Sequence, residues 1–180
     1  MEKNYNTLQL VKRRMFAMRN GVVADVLRKG GSPFRIIFGL NLPQLVEIAQ
    51  EFGKDRALAL TLWANGSTRE SMLLAPMLMP VDGMPLPLAR EWCSEVPSAE
   101  VADILCHRLL KHMDYAPALA AGLAEAGNTD LERYTGVRLA FNIYMRNPQA
   151  ARQVVDNALQ WPQPLSSRLA ATLKEELEYC

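Results

Sequence analysis

The sequence predicts an all-helical protein built from short helices that pair into hairpins. Apolar residues recur at spacings of three and four along most of the chain, which is typical of helices with one buried face. Runs of alternating β-branched residues, the pattern of strands, are almost absent. Turn-forming residues interrupt the helical pattern often, so we expect many helices of about ten to eighteen residues rather than a few long ones.

Glycine, proline and asparagine mark the predicted helix boundaries. The breaks fall at residues 20–21, 29–33, 40–43, 65–67, 79–87, 96–98, 127–130, 146–148 and 161–164. Asn41 or Leu42 precedes Pro43 at one helix start, and Ser98 stands at another. Ser67 precedes Glu70 by three residues, the spacing of a capping box. These residues predict where helices begin.

Helices this short bury little apolar surface alone, so in series they favour stacked antiparallel hairpins, as in a solenoid. A compact helical bundle is the alternative, and the sequence contains no strict internal repeat that decides between the two. A chain of 180 residues is long enough for one core, and we predict a single domain over residues 1–180.

Composition predicts an ordinary globular protein of the cytoplasm. Hydrophobic residues make up 49% of the chain and charged residues 22%. The N-terminal segment lacks the charge and apolar order of a secretory signal, and no apolar run is long enough to span a bilayer, so we expect no membrane association. Cys93, Cys106 and Cys180 form no C-x-x-C pair, and we expect them to be reduced thiols.

The sequence contains no pattern that indicates a metal or a cofactor. His107 and His112 are five residues apart. On a helix this spacing points two side chains about 140° away from each other, so they would not share a metal ion. A glycine-rich phosphate-binding loop is absent. We therefore expect no cofactor.

Charge is distributed unevenly along the chain. Residues 1–60 contain 10 Lys and Arg against 5 Asp and Glu, whereas the remaining residues contain 10 against 14. Basic residues are densest near the start of the predicted array, at Lys12, Arg13, Arg14 and Arg19. Such a cluster is either a patch that contacts DNA phosphates or a solvated surface, and charge alone leaves both interpretations open.

Four segments in a fixed order carry a family resemblance. They are SPFRIIFGLNLPQLVEIAQEF (32–52), RALALTLWANGSTRESMLLAPMLM (56–79), EVADILC (100–106) and LERYTGVRLAF (131–141). They contain a turn at Gly39 before Pro43, Leu62-Trp63 before Arg69-Glu70, then Asp103 and Arg133. In this order and spacing the chain resembles, over about residues 10 to 145, the bacterial DNA alkylation repair enzymes built from HEAT-like helical repeats.

The resemblance implies a right-handed α-α superhelix of HEAT-like (armadillo-type) helical hairpins, whose concave, positively charged face holds duplex DNA. Active members of that family hydrolyse the glycosidic bond of N3- and N7-alkylated purines. Their tryptophans contact the deoxyribose and the cationic base, while an aspartate stabilises the oxocarbenium sugar and positions water. Such a site agrees with physical expectation, because aromatic faces attract cations and a preorganised carboxylate stabilises positive charge where it develops.

The resemblance also assigns roles to individual residues. It implies that Asp103 is the catalytic carboxylate and that Arg133 approaches the DNA backbone. Arg69 matches a family position as well, either at the surface or in the DNA groove, whereas we interpret Glu70 as a capping residue. With the basic N-terminal cluster included, the predicted DNA-binding residues are Arg133, Arg69, Lys12, Arg13 and Arg14.

Two aromatic positions of the family's site hold other residues here. Ala99 stands one helical turn before Asp103, where active members have a tryptophan, and Thr172 or a neighbour stands at the later tryptophan position. Trp92 is the nearest upstream aromatic residue, but we expect it on another helix and in the core. Three functions therefore stay open: an alkylpurine DNA glycosylase, a catalytically inactive relative that binds DNA, and a helical-repeat scaffold for a protein partner.

Overall fold

The structure is a computed structural model, and it describes residues 6–179. Residues 1–5 and Cys180 lie outside this range. The predictions made for the first five residues, as part of an N-terminus without a secretory signal, and for Cys180 as a reduced thiol therefore fall outside the described residues. Within residues 6–179 the chain is helical, and an isolated bridge between Ile36 and Thr68 is the nearest approach to a strand. The prediction of an all-helical chain is confirmed.

The helices form two compact units, residues 1–83 and 84–180, and each unit is described by itself. The first unit contains α1 (Thr7–Ala17), α2 (Gly21–Lys29), α3 (Leu42–Phe52), α4 (Arg56–Ala64) and α5 (Arg69–Leu78). The second unit contains α6 (Leu86–Glu95), α7 (Ala99–Arg108), α8 (Ala116–Leu123), α9 (Asp130–Ile143), α10 (Pro148–Gln160) and α11 (Pro164–Glu178). Short 3₁₀ helices occur at Val81–Gly83 and Leu110–His112. The single domain over residues 1–180 stays a prediction.

Helix α5 is the core of the first unit, and all of its residues are buried. Helices α3 and α4 pack against it, and α1 contacts both of them. The loop before α3 passes so close to the start of α2 that a Cβ on Gly39 would collide with the carbonyl oxygen of Asn20. Gly39 also has a φ of +80°, a conformation that favours glycine. The glycine turn seen in the sequence is therefore required by packing.

Two of the predicted helix caps are present and one is wrong. Asn41 caps α3 and forms a reciprocal capping box with Gln44, and Ser98 caps α7. The capping box predicted for Ser67 and Glu70 does not form, because Thr68 is the N-cap of α5 and makes no side-chain cap bond. The Glu70 carboxylate instead accepts hydrogen bonds from the backbone of the loop before α3.

Helix α9 is the core of the second unit and contacts α7, α8, α10 and α11. At Gly136 it approaches α8 closely, and a Cβ there would lie 2.8 Å from the carbonyl oxygen of Ala120. Trp92 is buried in the core of this unit, as predicted, and Cys93 and Cys106 are buried free thiols. Burial, assisted by the charge of Glu132, raises the pKa of Cys93 to about 12.

Asp130, in the first turn of α9, fastens the start of α11. Its carboxylate oxygens accept hydrogen bonds of 2.9 Å from the backbone N–H groups of Leu165 and Ser166. Burial alone would raise the pKa of Asp130, but the hydrogen bonds from these two N–H groups and the charge of Arg133 outweigh it, so the pKa is lowered. The ionised carboxylate therefore stabilises the contact between α9 and α11.

Within residues 6–179, none of the helices has both the length and the apolar character needed to cross a membrane.

Candidate functional site

Asp103 lies in the middle of α7 and contacts α9. Its Oδ1 is 2.6 Å from Nε of Arg138 and accepts a hydrogen bond of 2.8 Å from the hydroxyl of Tyr134. Nη2 of Arg138 donates to the same hydroxyl oxygen at 3.0 Å. We call these three residues the Asp103 cluster. The cluster joins α7 to two side chains that lie one helical turn apart on α9.

One carboxylate oxygen of Asp103 remains open to a ligand. Both contacts of the cluster use Oδ1, and no residue in the described part of the chain is hydrogen-bonded to Oδ2. The Asp103 side chain is 42% exposed. The protein therefore orients the carboxylate through Oδ1 and leaves Oδ2 without a hydrogen bond from the described residues, in a side chain that is partly exposed.

The protonation states within the cluster suit this arrangement. Burial raises the pKa of Tyr134, so its hydroxyl stays protonated and donates a hydrogen bond to Asp103. Burial alone would lower the pKa of Arg138, but the hydrogen bond with Tyr134 and the charge of Asp103 outweigh it, and the pKa is raised. Arg138 is therefore a cation beside the carboxylate and offsets part of its negative charge.

Aromatic rings on α9 surround Arg138. Its guanidinium carbon lies 5.6 Å from the ring centroid of Tyr134 and 5.8 Å from that of Phe141, within the range of cation–π attraction. Phe141 also meets Tyr144 edge to face, with the two centroids 5.7 Å apart. These rings help to hold the guanidinium in place.

The two positions where active relatives carry tryptophan are not aromatic in this chain. Ala99 is the first residue of α7, directly after the Ser98 cap, and is partly exposed. Thr172 is exposed on α11, and its hydroxyl donates to the carbonyl oxygen of Arg168. The Asp103 cluster thus lacks a π-face at the position one turn before the carboxylate.

Arg133 and Arg69 are buried and bind carbonyl groups of the protein itself. Arg133 is 1% exposed, and its Nη2 donates to the carbonyl oxygens of Asn157 and Ala158 near the end of α10. Arg69 is 6% exposed and donates to the carbonyl oxygen of Leu40. In these positions neither guanidinium is open to a DNA phosphate. We therefore assign both residues a structural role in place of the predicted DNA contacts.

Helix α1 carries Lys12, Arg13 and Arg14 of the basic N-terminal cluster, and these residues differ in their surroundings. Arg14 is ion-paired with Glu47 at 3.0 Å and Glu51 at 2.7 Å, both on α3. Lys12 and Arg13 are exposed. Of the predicted phosphate contacts in this cluster, Arg14 is thus engaged by two carboxylates, whereas Lys12 and Arg13 lie at the surface.

Sequence reasoning missed Arg138 and Tyr134 as members of the site. Both lie in the segment LERYTGVRLAF, four residues apart and therefore on one face of a helix. That spacing was a signal for a polar face on the predicted helix. It could not show that this face meets Asp103.

The described residues contain no group of three or more His, Cys, Asp or Glu side chains placed to hold a metal ion. Nδ1 of His107 lies 3.4 Å from the side-chain oxygen of Asn142, and Nζ of Lys111 lies 3.4 Å from the same ring nitrogen. The His107 ring is therefore in contact with the side chains of Asn142 and Lys111.

Comparisons with known proteins bear on the family and the fold of the chain. The sequence matches a family model described as DNA alkylation repair enzyme over residues 13–160. A comparison with curated proteins found no match. One similar solved structure is described as "a new family of proteins related to the HEAT-like repeat DNA glycosylases with affinity for branched DNA structures". The TM-score is 0.77 at 14% sequence identity, over 92% of this chain and 73% of that chain, and it confirms the predicted HEAT-like fold.

Proposed function

The chain belongs to the DNA alkylation repair enzyme family, and from this premise we propose that it binds duplex DNA and hydrolyses the N-glycosidic bond of N3- or N7-alkylated purines. The observation that carries the proposal is the Asp103 carboxylate, which is held through Oδ1 and open at Oδ2. A preorganised negative charge stabilises a transition state in which positive charge develops.

The proposed reaction exchanges a carbon–nitrogen bond for a carbon–oxygen bond. The bond between C1′ of the deoxyribose and the purine breaks, and its electron pair neutralises the alkylated base, which already carries a positive charge. The base therefore leaves without a general acid. Positive charge develops on the sugar beside Oδ2 of Asp103, and a water molecule adds to C1′ while its proton passes to the carboxylate or to solvent.

Tyr134 and Arg138 act as positioning residues in this proposal. Together they fix the rotation of the carboxylate, so that Oδ2 needs no reorganisation when charge develops. Nη1 of Arg138 takes no part in the contacts within the cluster, which use Nε and Nη2. We propose that Nη1 meets a DNA phosphate, because guanidinium groups bind phosphate strongly.

Release of 7-methylguanine and 3-methyladenine from alkylated duplex DNA tests the proposal. We expect the wild type to release the bases and Asp103→Asn to be slower by about 10² to 10³, the usual loss when a preorganised electrostatic group is removed. Asp114→Asn is the matched control, because Asp114 is an exposed aspartate of the same unit. If the wild type releases no more base than Asp103→Asn, the proposed catalysis is refuted.

The alanine at position 99 favours a second function, DNA binding without base excision. The similar solved structure is described as having affinity for branched DNA structures, and we propose that preference for this alternative. Binding that weakens steeply with salt, without release of a base, would support it. Stable retention of a protein partner, with no retention on duplex or branched DNA, would instead favour a scaffold.

The proposed location is the cytoplasm. The buried thiols of Cys93 and Cys106 are unpaired, as is usual in a reducing compartment.

A further inference from the structure

A pocket of about 320 Å³ lies in the first unit between α1, the segment before α3 and the start of α5. We call it the α1 pocket, and the lining residues that matter here are Lys12, Phe16, Ile36, Phe38, Asn65 and Thr68. Phe16 is 56% exposed and Ile36 is 37% exposed. The pocket therefore offers aromatic and aliphatic surface that a ligand would remove from water.

Cationic side chains border the exposed ring of Phe16. The guanidinium carbon of Arg19 lies 3.8 Å from the ring centroid, and Nη1 of Arg19 donates to the carbonyl oxygen of Phe16 at 3.0 Å. Lys12 precedes Phe16 by one helical turn, on the same face of α1, and lines the pocket. Because Phe16 as a residue is 56% exposed even with Arg19 stacked on its ring, the side chain is accessible to a ligand.

The described lining of the α1 pocket includes no acidic residue. Glu70 is near in sequence, but it is 0% exposed and its carboxylate accepts N–H groups of the loop before α3. Glu47 and Glu51 are engaged by Arg14. No negative charge in the described lining therefore offsets the cations beside the pocket, and the pocket attracts anions.

The polar side of the pocket is oriented by the protein. Nδ2 of Asn65 donates to the hydroxyl oxygens of Thr68 at 3.2 Å and Ser71 at 3.1 Å, which sets the direction of the amide. Within residues 6–179, the bond that its Oδ1 accepts is a long one of 3.4 Å from the Ser67 hydroxyl. The amide oxygen is thus a hydrogen-bond acceptor for a ligand that carries an amino group.

We propose that the α1 pocket receives one unpaired nucleobase of single-stranded DNA, with the base against Phe16 and the flanking phosphates at Lys12 and Arg19. A nucleotide combines the π-face, the amino groups and the negative charge that the pocket complements. The inference rests on the proposed DNA binding and goes beyond it, because it assigns a site for single-stranded DNA to a unit that does not contain Asp103.

The test compares two DNA ligands of the same duplex sequence, one blunt-ended and one with a single-stranded arm. We expect the wild type to bind the armed duplex more tightly in fluorescence anisotropy titrations. Phe16→Ala should weaken binding to the armed duplex by about 5- to 150-fold, the usual effect of losing one base–aromatic stack, and leave blunt-duplex binding unchanged. Phe16→Trp keeps a ring and should keep the preference for the arm.

Trp161→Ala is the matched control, because Trp161 is 55% exposed and lies in the second unit. A 2-aminopurine in the arm should lose fluorescence on binding to the wild type, as a stacked base does, and keep it with Phe16→Ala. Equal wild-type affinity for the two ligands, or an unchanged preference in Phe16→Ala, would overturn the inference while duplex binding stands. Failure of the wild type to bind either ligand would overturn the inference together with the proposed function.

Discussion

Removal of the Glu70 carboxylate is expected to destabilise the first unit severely. The side chain is 0% exposed and accepts backbone N–H groups from Phe38 at 3.0 Å, Gly39 at 2.9 Å and Leu40 at 3.3 Å. Nη1 of Arg69 also donates a hydrogen bond of 2.8 Å to this carboxylate. One carboxylate therefore holds both the loop before α3 and a buried guanidinium, and that loop supplies Phe38 to the α1 pocket.

The size of the effect follows from what Glu70→Ala leaves behind. Removing one partner of a buried ion pair costs about 3 to 5 kcal/mol. The backbone donors lose their acceptor as well, at about 1 to 3 kcal/mol for each one that water does not reach. The ion-pair loss and one backbone donor that water does not reach together give an expected loss of about 4 to 8 kcal/mol, which is comparable to the whole stability of a small domain, about 5 to 15 kcal/mol.

Urea unfolding followed by circular dichroism measures this loss. The matched control is Glu47→Ala, which removes a carboxylate that is 58% exposed and paired with Arg14. Surface pairs of this kind contribute about 0 to 1 kcal/mol. Hydrogen exchange of residues 36–41 should show the loss of protection at the loop itself. A free energy of unfolding for Glu70→Ala that equals that of Glu47→Ala would refute the reasoning.

Three further predictions concern the second unit. Ala99→Trp restores a π-face one turn before Asp103. The variant should release alkylated purines about 2- to 30-fold faster, the equivalent of one cation–π contact. A rate at or below that of the wild type in the release assay contradicts this prediction. Because the pKa of Asp130 is lowered, the contribution of its carboxylate to stability is complete at neutral pH and is lost as the pH falls below about 4. In thermal melts across this range, the melting temperature of Asp130→Asn should therefore depend less on pH than that of the wild type. Arg133→Met removes two carbonyl contacts at the end of α10 and should cost about 2 to 4 kcal/mol in urea unfolding, while DNA affinity of the folded protein stays unchanged.

The helix starts could be predicted because capping is local. The side chain of Asn41 and the N–H that it accepts belong to residues three positions apart, and the same holds for Ser98. Glu70 marks the limit of such reasoning. Its backbone hydrogen-bond donors lie about thirty positions earlier in the chain, whereas the capping box with Ser67 is predicted from a spacing of three residues. A pattern read over a few residues cannot identify a partner that only the tertiary fold brings near.

The surroundings of Asp103 could not be predicted for a related reason. Asp103 was identified from the ordered family segments, and the structure holds its carboxylate at a partly exposed position. Arg133 and Arg138 are five positions apart on α9, so they point about 140° away from each other. A motif match identifies the helix but not the face. The structure places Arg133 in the interior against α10 and Arg138 beside Asp103.

Magnitudes indicate how much the alanine at position 99 matters for the proposed catalysis. A missing cation–π contact costs about 0.5 to 2 kcal/mol, whereas loss of a preorganised charge costs about 2.7 to 4 kcal/mol. The alanine at position 99 therefore removes the smaller contribution, and the site keeps the larger one as long as Asp103 retains its charge. On this basis the expected behaviour is slow excision that depends on Asp103.

Arg138 both offsets the charge of Asp103 and orients its carboxylate, and the two effects differ in size. The pair with Asp103 is partly exposed, with 27% and 42% of the two side chains accessible, and a pair of this kind contributes only about 0 to 1 kcal/mol because water screens it. Partial neutralisation of Asp103 is then a small effect compared with the orientation that Arg138 provides. Arg138→Met should therefore slow base release, and should weaken DNA binding with a salt dependence reduced by about one phosphate contact. Faster release by Arg138→Met than by wild type would show that neutralisation of Asp103 is the larger effect.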